Sequence, residues 1–355
     1  MTGTFNPEAL IVARESRKKT QAQLADSVDI SQGLISKFEN GVLIPPAEQL
    51  ARIAACLGYP LSFFFEPGAL REGKSGCLYH RKRKTLPAKT LNEIDAKMAV
   101  RLLNTRRLLN GLEIDGERMF HTMDPDEFGS AAAVAQALRV AWRVPHGPIR
   151  NLVTLIESAG GVVLTAPFGT HKLFGMSQWS ARDRPLFFLN ADTAMEELRW
   201  TLAHELGHLT MHGVPTAEDL EAQADEFAAE FLTPKAQVLP DLRALSFARL
   251  PALKMHWRIT MKALIYRAEA TGAISRQQSV RLYKQYMARR WNNAEPYPLD
   301  AEEPTLITAA AAVHMNDHGY TGPELAEAVR LTYEEFYDEF LQQPRERRTG
   351  LSVVP

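Results

Sequence analysis

The chain has 355 residues, 45% of them hydrophobic, with 41 Lys and Arg against 42 Asp and Glu. That is room for two or three cores at almost no net charge. No apolar run approaches the roughly 18 residues that span a bilayer, and two cysteines, Cys56 and Cys77, exclude a disulfide framework. With no signal peptide legible at the N-terminus, a cytoplasmic location without a membrane partner is expected.

In chain order, Gln21 to Val28 reads as a short helix and Asp29-Ile30 as a turn with Ile30 as a buried plug. Ser31 is a natural N-cap for a second helix through Asn40, which Gly41 closes. Two short helices joined in this way predict a helix-turn-helix. Residues 1–66 carry six Lys and Arg against seven Asp and Glu, a poor balance for a free-standing DNA binder. The stretch from Arg71 to Lys89 has seven cations and one acid. Within it Arg81, Lys82, Arg83 and Lys84 are candidate phosphate contacts, which would make binding steeply salt-dependent; a solvated hinge is the competing use. Cys77 lies in this basic linker, while Cys56 sits on an apolar helix face and reads as core.

Thr90 to Asn110 reads as an amphipathic helix closed by Gly111, followed by helices over Ser130 to Trp142 and Ile149 to Ser158. Gly160-Gly161 introduces a strand from Val162 to Thr165, and Phe168 to Trp179 with Pro185 to Asn190 completes a small sheet. Beyond Arg243 the pattern is helical, clearest over Trp257 to Thr271 and Ser275 to Met287. Thr305 to Leu341 is helical and acidic, a candidate surface for a partner or for oligomerisation. No internal repeat is visible. The fold class is therefore mostly α with a small β-sheet, α+β. The expected domains are 1–67, a linker and helix over 68–125, a core over 126–245 and a helical region over 246–355.

The densest chemistry lies in Thr201-Leu-Ala-His204-Glu205-Leu-Gly-His208-Leu209. Two imidazoles at i and i+4 stand one above the other on a helix and can share one metal ion, with Glu205 beside them as a base for the attacking water. A third ligand is needed. His212 is too far, since eight residues of helix span about 12 Å. The next helix, from Glu218 to Phe231, offers Glu221 and Asp225 at i and i+4, the first as a ligand and the second to orient a histidine ring. Spacing alone leaves Glu221 open against Glu218, Asp219, Glu226 and Glu230.

His204-Glu-Leu-Gly-His208 followed by Glu221-Ala-Gln-Ala-Asp225-Glu-Phe-Ala-Ala-Glu-Phe-Leu-Thr-Pro234 resembles the ImmA/IrrE family of metallopeptidases. Pro185 to Asn190 is similar to the edge strand of that family, His256 to Arg267 to its W-x-V-S-x-x-A-L-x-x-R block, and Glu295-Pro296 to a later segment. The resemblance covers roughly residues 75–300. It implies a gluzincin-like zinc peptidase core with His204, His208 and Glu221 as ligands and Glu205 as catalytic base. Zinc suits such a set best, with manganese or iron as alternatives. Arg267, Tyr266 and His256 are candidates to stabilise the oxyanion, and an extended substrate is expected along Leu186 to Leu189.

Residues 8–66 resemble the XRE (Cro/repressor-like) family through Thr20-Gln21, Leu24-Ala25, Ile30-Ser31-Gln32 and Ile35-Ser36-Lys37-Phe38-Glu39-Asn40-Gly41. That resemblance implies that Gln32, Gly33, Ser36 and Lys37 face the major groove while Gln21 and Ser31 steady phosphates. Gly33 offers no side chain, so base readout would lean on Gln32 and Lys37. The partners implied are a double-stranded DNA operator bound by a homodimer and a protein substrate, such as a repressor or the product of a neighbouring gene. The expected function is a DNA-binding regulator that cleaves a regulatory protein in stress response or mobile-element control. The alternative is a repressor or antitoxin whose zinc domain senses or binds a partner without cutting.

Overall fold

The computed structural model describes residues 3–71, 87–112, 120–179, 184–211 and 220–341. The protein is mostly helical with one three-stranded sheet, the mixed class expected. Among the described residues no helix is long and apolar enough to cross a membrane. They fall into two compact units, one of 3–71, 87–112 and 305–341 and the other of 120–179, 184–211 and 220–304. This division differs from the boundaries drawn at 67, 125 and 245: the connecting helix and the last helices cluster with the N-terminal ones.

The first unit opens with α1 (Pro7–Ser16), α2 (Gln21–Ser27), α3 (Gln32–Glu39) and α4 (Ala47–Leu57), then a 3-10 turn at Leu61–Phe65. Local chemistry sets these boundaries. Thr20 and Gln23 form a reciprocal capping box at the start of α2, and the Ser31 hydroxyl accepts from Leu34 N at 3.3 Å to start α3. Helix α3 ends in a Schellman motif. Gly41, left-handed at φ 68°, donates to Phe38 O at 3.1 Å, and Val42 donates to Lys37 O at 2.9 Å. The core comprises Leu10, Ala13, Leu24, Ile35, Phe38, Ile53, Phe63 and Phe64, with Ile30 and Cys56 partly buried against it. Helix α5 (Ala88–Leu109) adds Ala96, Ala99, Val100 and Leu103 to the same core. A buried ion pair ties α1 to α3, with Arg14 Nε 2.5 Å from Glu39 Oε1 and Nη2 3.0 Å from Oε2.

The second unit runs α6 (Pro125–Phe128), α7 (Ala131–Ala141), α8 (Leu152–Ser158), β1 (Val162–Ala166), β2 (Gly175–Gln178), β3 (Leu186–Asn190), α9 (Met195–Met211), α10 (Leu220–Leu232) and α11 (Lys235–Leu242). It continues with α12 (Leu250–Trp257), α13 (Met261–Ala270) and α14 (Arg276–Ala288). Strand β3 is central, parallel to β1 and antiparallel to β2, in the order β1-β3-β2. The single helix expected over Trp257 to Thr271 is interrupted. Arg258 turns left-handed at φ 57°, and the Thr260 hydroxyl accepts from Ala263 N at 3.0 Å to start a new helix.

Helix α9 is the axis of this unit, buried at every residue from Thr201 to Met211. Two glycines permit its neighbours to come close. A Cβ on Gly207 would sit 2.9 Å from Phe227 of α10, and one on Gly175 would sit 2.8 Å from Thr201 and 2.9 Å from Leu189. Buried ions fix the start of the helix. Lys254 is 0% exposed between Glu196 at 2.5 Å and Glu295 at 3.1 Å, and Glu295 also accepts Met261 N at the start of α13 at 2.9 Å. Arg199 pairs with Glu302 and donates to Ile149 O at 2.7 Å, while Glu302 accepts Leu152 N at 2.7 Å at the start of α8.

The chain then rejoins the first unit as α15 (Leu306–Asn316), α16 (Gly322–Ala328), α17 (Tyr333–Phe336) and a π turn at Tyr337–Leu341. These helices are held to α5 and α1. Asn104 donates to Val329 O at 2.6 Å, His314 Nε2 donates to Leu108 O at 2.7 Å, and Arg17 pairs with Glu335.

Candidate metal centre and nucleic-acid face

His204 and His208, one turn apart on the buried α9, turn their Nε2 atoms to within 3.0 Å of each other. Glu221, at the first turn of α10, places its carboxylate 3.7 Å from His204 Nε2 and 3.5 Å from His208 Nε2. Ligand distances of about 2.0–2.1 Å in a tetrahedron give edges of about 3.3 Å, so these three separations fit one small divalent ion. The three residues are the group of potential ligand atoms that converges among the described residues. Asp225 sits one turn beyond Glu221, with Oδ1 2.9 Å from His204 Nδ1. When Nδ1 donates to that carboxylate, Nε2 carries its lone pair toward Glu221 and His208. Burial pushes the Glu221 carboxyl up, but hydrogen bonding and charge from His208, with the charge of His204, outweigh it and hold Glu221 below the usual range.

Glu205 is fully buried beside this trio. Its Oε2 accepts from the Ser177 hydroxyl of β2 at 2.6 Å, and its Oε1 is buried with no hydrogen-bond partner. An unpartnered carboxylate oxygen in the interior costs free energy unless something else occupies its lone pairs, and a water held by a neighbouring ion is such a group. Burial raises the Glu205 pKa to about 7 against the lowering by His204 and the Ser177 hydroxyl. The donor set and the orphaned oxygen thus both fit a resident zinc ion. Ser177 escapes sequence reasoning because a serine in a short strand carries no signal of its partner; only the closeness of β2 to α9, which Gly175 permits, brings the two together.

Other expectations are corrected. The strand from Leu186 to Leu189 is not an edge: β3 is hydrogen-bonded on both sides and buried at all five residues, so a substrate strand has nowhere to pair along it. Among the described residues β2, whose Ser177 meets Glu205, stands at one end of the sheet order. Arg267 is committed elsewhere, since its guanidinium pairs with Glu230 and donates to Thr233 O at 2.8 and 3.1 Å, locking α13 to the end of α10. Tyr266 is 65% exposed, and His256 is exposed with its ring edge-on to Trp257 at 5.4 Å, so neither joins the buried trio. His212, Cys77 and Arg81, Lys82, Arg83 and Lys84 lie outside the described residues.

Residues 156–269, the span that holds the trio and Glu205, match the family model of the IrrE N-terminal-like domain. Residues 10–64 match that of the helix-turn-helix. The chain joins an IrrE-like peptidase-family domain to an XRE-type helix-turn-helix domain. No curated protein and no solved structure matches it.

In the helix-turn-helix domain, Gln32, Gly33 and Lys37 lie exposed on α3, with Ser36 half-buried beside them. Gln21 links the two helices: its Nε2 donates to Glu39 at 2.7 Å and its Oε1 accepts from Gln32 Nε2 at 2.7 Å. Through Glu39 this chain of hydrogen bonds ends on the buried Arg14, so Gln32 is presented by a fixed scaffold. Ser31 spends its hydroxyl as the cap of α3.

Proposed function

We propose that this DNA-binding regulator is also a zinc-dependent endopeptidase, with His204, His208 and Glu221 holding the metal and Glu205 moving the proton. The observation that carries this reading is the unpaired, buried Oε1 of Glu205 beside three converging ligands, an arrangement a purely structural site does not need. When bound, zinc supplies Lewis-acid activation of water and of the scissile carbonyl. Glu205 accepts a proton as the water oxygen adds to the peptide carbonyl carbon, and returns it to the nitrogen as the C–N bond breaks. Ser177 keeps Oε2 occupied so that Oε1 does this work, and Asp225 orients His204. An extended substrate would pair with β2.

On the DNA side, Gln32 and Lys37 would meet base edges and phosphates, with Gly33 and Ser36 allowing close approach. Readers of this kind act in pairs on palindromic sites, so the DNA-bound form would be a dimer. The substrate would be a repressor or another regulatory protein. The test is Glu205→Gln, with the zinc-loaded chain incubated with the products of neighbouring genes. Cleavage by the native chain, lost in the variant while zinc is retained, supports the peptidase; cleavage unaffected by the variant overturns it.

A further inference from the structure

From Ala310 to Thr332 the chain follows the pattern of the N-terminal helix-turn-helix at an offset of 301 residues. The offset carries Thr20 to Thr321, Leu24 to Leu325, Ala25 to Ala326, Val28 to Val329 and Ser31 to Thr332. Geometry follows the same register. Thr20 and Thr321 each open a helix with a capping box, closed by Gln23 and Glu324. Each turn then passes one left-handed residue, Asp29 at φ 53° and Arg330 at φ 67°. An apolar plug follows, Ile30 or Leu331, whose N–H reaches Ala25 O at 3.1 Å or Ala326 O at 2.9 Å. Ser31 and Thr332 cap the second helices by accepting Leu34 N at 3.3 Å and Glu335 N at 3.4 Å.

The agreement extends backwards. Ala9, Leu10 and Ala13 of α1 are buried, as are Ala310, Ala311 and His314 of α15, and left-handed Lys18 at φ 57° falls on Gly319 at φ 73°. The α12–α13 corner shares only the turn, with Arg258, Ile259 and Thr260 but no capping box before it. The C-terminal segment adds to that turn the preceding capping box and the buried positions of the first helix.

We infer that residues 305–341 are a second copy of the helix-turn-helix whose outward face is built to exclude DNA. The positions of Gln32, Gly33, Ser36 and Lys37 become Tyr333, Glu334, Tyr337 and Asp338, all four exposed. One cation is lost and two acids stand where phosphates would pass, which opposes the electrostatic term that supplies most non-specific affinity. The π turn at Tyr337–Leu341 adds a residue, so Phe340, rather than residue 339, takes the buried place of Phe38. The inner surfaces of the copy hold the first unit together, through Glu335 on Arg17 and Val329 O on Asn104. The chain thus carries two motifs of one shape and offers DNA only the first.

The contrast rests on the first copy reading DNA, and Lys37→Glu in the otherwise native full chain reports on that alone. The inference is tested in that Lys37→Glu background by grafting Tyr333→Gln, Glu334→Gln and Asp338→Lys, with Glu334→Lys and Asp338→Lys as a second, minimal variant. The control places the charge change of the minimal variant in the other unit, at exposed Asp300→Lys and Glu303→Lys. The readout is anisotropy of a labelled duplex of mixed sequence across a salt series. Either graft should tighten binding roughly tenfold and steepen the salt slope by about 1–2, well beyond the control. Equal gains in graft and control, or none in either, overturn the inference.

Discussion

Helices α3 and α9 place functional side chains in opposite surroundings. On α3 three of the four residues proposed to meet DNA, Gln32, Gly33 and Lys37, are exposed, over a buried face of Ile35, Phe38 and Glu39. On α9 every residue from Thr201 to Met211 is buried, so the histidines and Glu205 exist only as part of a packed, ion-braced interior. The difference teaches where substitution is tolerated. An exposed face can be rewritten while the caps and turn beneath it are kept, as the pair Lys37 and Asp338 illustrates, whereas a change of size on α9 must be absorbed by the packed unit around it.

The largest expected effect breaks the comparison on the buried side. Lys254→Ala leaves Glu196 and Glu295 buried without their cation and should cost about 3–5 kcal/mol in urea unfolding. Gln32→Ala on α3 should stay within about 0.5 kcal/mol; equal costs would mean that burial is not what separates the two regions. Asp225→Asn comes next. It should weaken zinc affinity about 10–100-fold in a competition titration with a chelating dye while leaving the unfolding midpoint of the metal-free chain in place. Gly207→Ala drives a Cβ into Phe227 and should destabilise by about 1–3 kcal/mol, with poorer zinc retention because α10 carries Glu221. An unchanged unfolding curve would show that α9 and α10 have slack. The smallest effect sharpens the other side: Ser31→Ala removes the cap of α3 for about 1 kcal/mol, and DNA affinity should fall with it.

What the sequence made legible follows the same division. His204, Glu205 and His208 could be singled out because one helical turn places them together, whereas Glu221 was chosen among five acids only through the family resemblance; the structure brings Glu221 to within 3.7 Å of both imidazoles. The cap at Ser31 and the turn at Asp29 were legible for the same reason of local spacing, while the capping box at Thr20 emerged only from the structure. The strand at Leu186 to Leu189 was misplaced because a continuous apolar run says that both faces are buried, not which edges are paired. Arg267 looked available until Glu230 and Thr233 met it, and Ser177 gave no sign of its partner. These are contacts between elements distant in the chain. The second helix-turn-helix stayed hidden because its outward residues differ and its second cap and plug match only in type, Ser31 to Thr332 and Ile30 to Leu331, leaving few identities to notice.

The most direct test of the central claim is the metal content of the purified full chain, by mass spectrometry after exhaustive dialysis, compared with His204→Ala, His208→Ala and Glu221→Ala. The account predicts one zinc per native chain, its loss in each of the three variants and its retention in Glu205→Gln. A native chain free of metal after zinc loading, or variants that hold as much as the native chain, would contradict it.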